Sequence, residues 1–204
     1  MTDTPHVPQD RPLVTFALFA YNQEKYIREA VEGAFAQTYE PLEIILSDDC
    51  SSDRTFEVMQ EMAAAYEGPH EIRVRKSEFN LGTALHVYSV FVKSSGALFL
   101  VAAGDDISLP ERADTLLAVW DRAGRPSGVV HSGWEAFRDH DGKLLGRFQA
   151  KRSASHGSVL QGYAHSQWLP AAAPTVAYTP DVVEKFAPLF GGSIIEDGPL
   201  FLRA

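Results

Sequence analysis

Short apolar segments alternate with amphipathic ones along the first 131 residues of this 204-residue chain, and this alternation restricts the fold more than any other feature. The apolar runs have the length and β-branched content of buried strands, whereas apolar residues between them recur at helical spacing. The pattern predicts strands at 13–20, 42–46, 71–75, 97–101 and 128–131, and helices at 25–37, 55–66, about 82–93 and 111–123. Strict alternation of this kind is typical of an α/β fold with a doubly wound sheet.

Polar clusters follow three of the predicted strands directly. They are Tyr21–Asn22, Asp48–Asp49 and Gly104–Asp106. Ligands of open α/β sheets bind outside the carboxyl ends of the strands. We therefore expect the three clusters to meet at the edge of the sheet where ligands bind.

The pattern changes after about residue 133. Residues 134–145 are typical of a β-hairpin with Asp141–Gly142 as its turn. A short strand is predicted at 174–178 and a helix at 181–190. Residues 1–11 read as a flexible leader, and no linker is long enough to divide the chain. We expect a single domain over 1–204.

Composition excludes several classes of function. Lys and Arg number 18 against 27 Asp and Glu, a net charge of -9, so we expect no nucleic-acid partner. The densest basic stretch, Arg73–Lys76, is interpreted as ordinary surface. The longest apolar run, Ala97–Ala103, is far too short to cross a bilayer, and no signal peptide is visible. The lone Cys50 excludes an internal disulfide and a cysteine-based metal cluster.

Motifs of several common α/β enzymes are missing from the sequence. It has no G-x-G-x-x-G after the first strand, no P-loop and no G-x-S-x-G nucleophile turn. The seven histidines show no H-E-x-x-H spacing. A nucleotidyltransferase would need a glycine-rich basic loop after the first strand, and Tyr21–Glu24 does not supply one.

Three acidic pairs each allow a functional and a structural interpretation. Asp105–Asp106 either binds a divalent cation that bridges a diphosphate or caps the following helix. Asp48–Asp49 either accepts the imide N–H of a uracil ring or caps the helix near Thr55, a task that Asp53 could perform alone. Glu196–Asp197 either provides a general base or favourable charge at a helix N-terminus.

Several motifs, in this order, resemble the family-2 glycosyltransferases with a GT-A fold. The resemblance covers about 12–123 and returns at about 174–204. It rests on Phe19–Asn22, Gln37–Tyr39, Glu43–Asp53, Asn80–Gly82, Gly96, the acidic loop that ends in Leu109–Arg112, and Glu196–Asp197. It implies a Rossmann-like, mostly parallel sheet flanked by helices, with a nucleotide-sugar-binding half at 12–123 and a small acceptor-side half at 124–204.

The resemblance also implies roles for individual residues. Asp49 would bind the edge of the base, Asp105 a Mn or Mg ion, and Asp197 would be the catalytic base with Glu196 beside it. Substrate would also be bound by Phe19, Ala20, Tyr21, Asn22, Asp48, Asn80, Gly82 and Asp106. Trp168 could stack on a sugar ring, although loop or core packing is the favoured interpretation.

The implied activity is inverting, hexosyltransferase-like transfer from a nucleotide-diphosphate sugar, with UDP favoured, to a carbohydrate or lipid-linked acceptor. We expect a cytoplasmic protein of polysaccharide biosynthesis, peripheral to the inner membrane face. Two departures from the family pattern are Ala103, where an acid commonly stands, and Cys50, where glycine is usual. Because the sequence ends at Ala204, soon after the expected base, we expect a truncated acceptor side. The alternative is a non-catalytic nucleotide-sugar-binding module or a fragment of a larger glycosyltransferase.

Overall fold

The computed structural model describes residues 11–149 and 173–184 of the chain. Its strands are β1 (Val14–Ala20), β2 (Leu42–Asp48), β3 (Glu71–Lys76), β4 (Leu98–Ala103), β5 (Val129–His131), β6 (Trp134–Phe137), β7 (Leu144–Phe148) and β8 (Val176–Tyr178). Its helices are α1 (Ile27–Phe35), α2 (Thr55–Ala64), α3 (Thr83–Phe91), α4 (Arg112–Arg122) and α5 (Asp181–Glu184), with a 3-10 turn at Ala173–Thr175.

The main sheet has six strands in the order β3-β2-β1-β4-β8-β5. The first four in this order are parallel, and β8 runs antiparallel to both β4 and β5. Val14 of β1 lies level with Leu42 of β2 and Leu98 of β4. This mostly parallel sheet flanked by helices confirms the α/β fold of GT-A type predicted from the sequence.

Both faces of the sheet are covered, which explains the nearly continuous apolar strands. One face packs on α1, α2 and α4 through buried side chains such as Phe16, Leu18, Ile44, Leu98 and Leu100. The other face packs on α3 through side chains of the sheet that include Ala17, Ile45, Phe99 and Val101, and β8 adds Val176 and Tyr178 to this core. Successive strand residues therefore point into two different cores, and both cores need apolar side chains.

The buried carboxylate of Glu43 links neighbouring segments at the amino end of the sheet, opposite the ligand edge. Glu43 Oε1 accepts the Thr15 hydroxyl at 2.5 Å and the Ser95 N–H at 2.7 Å. Its other oxygen lies 3.3 Å from the guanidinium of Arg73. Arg73, itself exposed as the sequence predicts, therefore compensates a fully buried charge from the surface of the sheet.

The later elements agree with the sequence pattern where the structure describes them. The strands β6 and β7 pair as an antiparallel hairpin, and Gly142 in its turn has φ +65°. The helix predicted at 181–190 begins at Asp181, and its residues after Glu184 lie outside the described range. Within 11–149 and 173–184, no helix combines the length and apolarity needed to cross a membrane.

Candidate active site at the carboxyl edge of the sheet

Loops after four strands meet at one edge of the sheet. Backbone bonds continue the ladders beyond the strand ends: Asp49 N–H donates to Ala20 O at 2.9 Å, and Ser77 N–H to Asp48 O at 2.9 Å. Gly104 N–H donates to Phe19 O at 2.8 Å. The structure thus brings together the three polar clusters that the sequence predicted at this edge.

The loop after β1 presents one aromatic ring and anchors one amide. Tyr21 is 49% exposed, which leaves its ring available to a ligand. Asn22 adopts φ +53°, and its Oδ1 accepts the Ser52 N–H at 2.9 Å. Asn22 N–H in turn donates to Ser51 Oγ at 2.8 Å. Asn22 therefore joins the loops after β1 and β2. Its Oδ1, which belongs to a side chain expected to bind substrate, is used in this contact.

Asp48 is fully buried at the end of β2. Its carboxylate accepts the Ser51 N–H at 2.9 Å and the Ser51 hydroxyl. Lys76 Nζ lies 3.8 Å from Asp48 Oδ2 and donates to Ser51 O at 2.9 Å. These bonds engage the Asp48 carboxylate within the turn, so that Asp48 shapes the loop after β2. Its expected contact with substrate stays a prediction.

Asp49 joins the loop after β2 to the start of α3. Its Oδ1 accepts the Leu81 N–H and its Oδ2 the Gly82 N–H, both at 2.9 Å. An ionised carboxylate offers about four lone-pair sites, so each oxygen keeps capacity for one more donor. The alternative task of capping α2 belongs to Asp53, whose Oδ1 accepts the Thr55 N–H at 3.0 Å.

Asn80 and Gly82 form the turn that leads into α3. Asn80 Nδ2 lies 3.5 Å from Asp49 O, and its Oδ1 accepts the Gly82 N–H at 3.2 Å. Gly82 has φ +73° and ψ +159°, a region that is essentially limited to glycine. The sequence-predicted residues Asp49, Asn80 and Gly82 are therefore in direct contact.

Asp105 and Asp106 follow β4 and are both exposed. Gly104 before them has little room for a side chain, since a Cβ there would lie 2.8 Å from the Ala20 Cβ. The helix α4 starts only at Arg112, with Glu111 as N-cap and no side-chain capping bond. Neither aspartate caps that helix, so the structural alternative for this pair is not supported.

Arg112 compensates part of the charge on this acidic pair. Partial desolvation and the neighbouring Asp105 carboxylate raise the pKa of Asp106, and Arg112 opposes that rise. The buried guanidinium donates to Val101 O at 2.6 Å and to Ser108 Oγ at 3.1 Å. Burial lowers the pKa of Arg112 to about 10, with the Asp106 charge acting against the shift. In the sequence, Arg112 is visible only as the end of the motif Leu109–Arg112.

The acidic pair fits a divalent cation that is shared with a ligand. Asp105 has no hydrogen-bond or ion-pair partner in the described part of the chain. No group of three or more His, Cys, Asp or Glu able to hold a metal occurs among residues 11–149 and 173–184. Mg²⁺ and Mn²⁺ bind through one or two carboxylates together with substrate phosphates, so two exposed aspartates match that pattern.

A buried histidine behind the edge was not singled out by the sequence analysis. His86 of α3 shares a 2.6 Å hydrogen bond with Ser47 Oγ of β2, and its ring packs edge-on against Phe19 at 5.1 Å. Burial lowers the pKa of His86 to about 4, although the nearby Asp49 charge favours the protonated form. The ring is therefore neutral near pH 7 and supports Phe19.

Three expected residues lie outside the described range. They are Trp168, Glu196 and Asp197. Their roles stay predictions.

Comparison with known proteins decides the family. The model of glycosyl transferase family 2 matches residues 15–166. The chain belongs to glycosyl transferase family 2. A Rickettsia typhi protein described as an uncharacterized glycosyltransferase is 30% identical over 124 residues, which are 61% of this chain and 37% of that protein.

Solved structures resemble this glycosyltransferase-family chain in fold. TarS of S. aureus in complex with UDP-GlcNAc has a TM-score of 0.62 and 20% identity over 84% of this chain and 46% of its own. The mannosyltransferase PcManGT of Pyrobaculum calidifontis, in complex with GDP-Man and Mn²⁺, has a TM-score of 0.64 and 15% identity over 89% of this chain and 48% of its own. The chain thus spans less than half the length of these proteins.

Proposed function

We propose that this chain is an inverting, metal-assisted glycosyltransferase that uses a nucleotide-diphosphate sugar, with UDP as the favoured nucleotide. The observation that carries the proposal is the pair Asp105–Asp106, exposed and not used as a helix cap at the ligand edge of the sheet. Membership of glycosyl transferase family 2 supports it. The complexes of the two structural neighbours with nucleotide sugars support the donor class.

The residues of the edge divide into two tasks in this proposal. Asp49 accepts an N–H of the base, and Tyr21 covers one face of that base with its exposed ring. Asp105, with Asp106 beside it, holds the Mn²⁺ or Mg²⁺ ion. Such an ion supplies positive charge that offsets the charge on the diphosphate leaving group.

Inversion requires a base on the acceptor side. In the proposal the Asp197 carboxylate takes the proton of an acceptor hydroxyl, and Glu196 lies next to it in the sequence. The hydroxyl oxygen forms a bond to the anomeric carbon as the bond to the diphosphate oxygen breaks. We expect Asp197→Asn to abolish transfer while donor binding stays at the wild-type level, and full activity of that variant would remove Asp197 from the mechanism.

The acceptor and the place of action are also part of the proposal. We propose a carbohydrate or lipid-linked acceptor in polysaccharide biosynthesis, and a cytoplasmic protein at the inner membrane face. A transfer assay must contain an acceptor of this class, whereas binding of the donor can be tested without any acceptor.

The experiment is a thermal-shift panel of UDP-, GDP- and dTDP-sugars, each with and without Mn²⁺. We expect the largest rise in Tm with a UDP-sugar and Mn²⁺ together, because the cation and the diphosphate bind as one unit. No shift with any nucleotide sugar would overturn the proposal. Binding without donor hydrolysis or transfer would favour the alternative of a non-catalytic module. Ala103, which stands where the family commonly has an acid, supports that alternative.

A further inference from the structure

Phe79 is the most exposed large hydrophobic side chain in the described parts of the chain, at 64%. It lies in the loop after β3, at the carboxyl edge of the sheet. Its ring contacts no other aromatic ring or cation among the described residues. Single exposed apolar side chains are ordinary on a protein surface, but this one lies at the edge where the donor is proposed to bind.

The loop that carries Phe79 is held firmly on both sides of it. Ser77 N–H donates to Asp48 O at 2.9 Å, and the Cys50 thiol approaches Glu78 O at 3.6 Å. After Phe79, the backbone N–H groups of Leu81 and Gly82 are bound by the Asp49 carboxylate. The ring of Phe79 is thus a free side chain on a fixed backbone, an arrangement that lowers the entropy cost of ligand contact.

The strand order places Phe79 and Tyr21 on opposite sides of Asp49. The order β3-β2-β1 puts the loop of Phe79, the loop of Asp49 and the loop of Tyr21 side by side. Tyr21, directly after β1, presents a second exposed aromatic ring at this edge. A nucleobase has two π-faces and a polar edge. Tyr21 and Phe79 each offer a ring to one face, and Asp49 offers a carboxylate to the edge.

We propose that Phe79 covers the second face of the donor's base, so that Tyr21 and Phe79 form an aromatic clamp whose polar wall is Asp49. The inference rests on the proposed function, because it assigns a further residue to the same donor site. Stacking on Phe79 does not discriminate among bases, since every base has a π-face. The clamp supplies affinity for the base, and Asp49 supplies the selection among bases.

The test is the binding of UDP by calorimetry, in the presence of Mn²⁺, to wild type and to Phe79→Ala. We expect the variant to bind UDP about 5- to 100-fold more weakly, the range that loss of one base–aromatic stack produces. Pyrophosphate, which has no base, should bind both proteins equally. Phe79→Leu keeps the apolar bulk but lacks a π-system and should also weaken UDP binding, whereas Phe79→Tyr should retain it.

Phe137→Ala is the matched control, since Phe137 is an exposed phenylalanine of the β6–β7 hairpin. We expect it to leave UDP binding unchanged. Equal UDP affinity of wild type and Phe79→Ala, or equal losses of UDP and pyrophosphate binding, would overturn the clamp and leave the proposed function standing. Failure of the wild type to bind any nucleotide would overturn the proposed function itself, so the two failures are distinguishable.

Discussion

The loop after β2 and the loop after β4 begin in the same way, with two adjacent aspartates behind a buried strand, and then differ in what surrounds the carboxylates. Asp48 and Asp49 are buried, and their oxygens accept bonds from Ser51 and from the turn before α3. Asp105 and Asp106 are exposed, and their carboxylates accept no hydrogen bond from the described residues. One acidic pair holds the edge of the sheet together, whereas the other faces outward.

The difference shows how burial decides what an acidic pair can do. A buried carboxylate is costly unless hydrogen bonds and a cation compensate it, and those partners then use part of its hydrogen-bonding capacity. An exposed pair keeps its oxygens for water or for an incoming cation. Loss of the Asp48 charge should therefore reduce stability, whereas loss of the Asp105 charge should reduce activity.

The largest effect is expected for Asp105→Asn. It should lower the transfer rate by about 100- to 1000-fold, because it weakens the charge that holds the cation opposite the leaving group. The free energy of unfolding should stay within about 0.5 kcal/mol of wild type, as for an exposed side chain with no partner. Glu57→Gln, an exposed acid on α2, is the control for a simple loss of charge. Wild-type activity in Asp105→Asn would contradict the assignment.

Asp48→Ala should show the opposite combination. Removing one partner of a buried ion pair costs about 3 to 5 kcal/mol, and here it also leaves the Ser51 donors without their acceptor. Lys76 is partly exposed and can turn to water, so we expect about 3 kcal/mol. Urea unfolding measures this loss. A change below about 1 kcal/mol would mean that Asp48 does not support the loop.

His86 gives the β2 side of the site a dependence on pH. Its pKa is about 4 in the folded chain and lower than its ordinary value of 6.5. Folding therefore favours the neutral imidazole. Its contribution to the free energy of unfolding is fully present above pH 6.5 and is lost as pH falls toward 4. The loss amounts to roughly 3 kcal/mol at pH 4.

The measurement is the free energy of unfolding between pH 7.5 and 4.5 for wild type and for His86→Gln. Carboxylates contribute equally to both proteins, so the difference between the two curves isolates the histidine. His140→Gln, which changes an exposed histidine of the hairpin, is the control. Its free energy of unfolding should change with pH in the same way as that of wild type. Parallel curves for wild type and His86→Gln would contradict a buried neutral ring.

Gly82→Ala tests the turn that Asp49 holds. A Cβ at this position would meet no atom within 4 Å, so the effect reports the backbone alone. At φ +73° and ψ +159° an alanine is strained, and we expect a loss of about 1 to 3 kcal/mol together with weaker UDP binding. Gly124→Ala, at φ +85° with equally open space, controls for backbone strain away from the edge. Its Tm should fall, but its UDP affinity should not.

Much of this architecture could be predicted because periodicity and topology are properties of the chain itself. The alternation from Leu13 to His131 predicts the strands and helices to within a few residues, and the parallel order then places Asp49 and Asp105 at one edge. The task of Asp49 could not be predicted, because it depends on Leu81, a partner distant in the sequence. The influence of Arg112 on Asp106 depends on the burial of the guanidinium, which the sequence does not reveal.

The missed residues share a physical reason. Arg112 has the pattern of an ordinary helical surface residue, and its burial depends on hydrogen bonds to the Val101 carbonyl of β4 and to Ser108. His86 lies among the apolar residues of α3, where its pairing with Ser47 of β2 cannot be read from spacing. Lys76 has the pattern of an exposed strand residue, yet it lies beside Asp48.

The smallest effect is expected for Cys50→Gly in the loop after β2. Cys50 adopts φ +64°, the left-handed region, which costs a residue with a side chain about 1 to 2 kcal/mol. Glycine removes that strain but adds about 0.5 to 1 kcal/mol of unfolded-state freedom, so we expect a net gain near 0.5 kcal/mol by urea unfolding. UDP affinity should not change, since the backbone of the turn is already in the conformation that glycine favours. A loss of stability would instead show that the contact of the thiol with the Glu78 carbonyl at 3.6 Å stabilises the loop of Phe79.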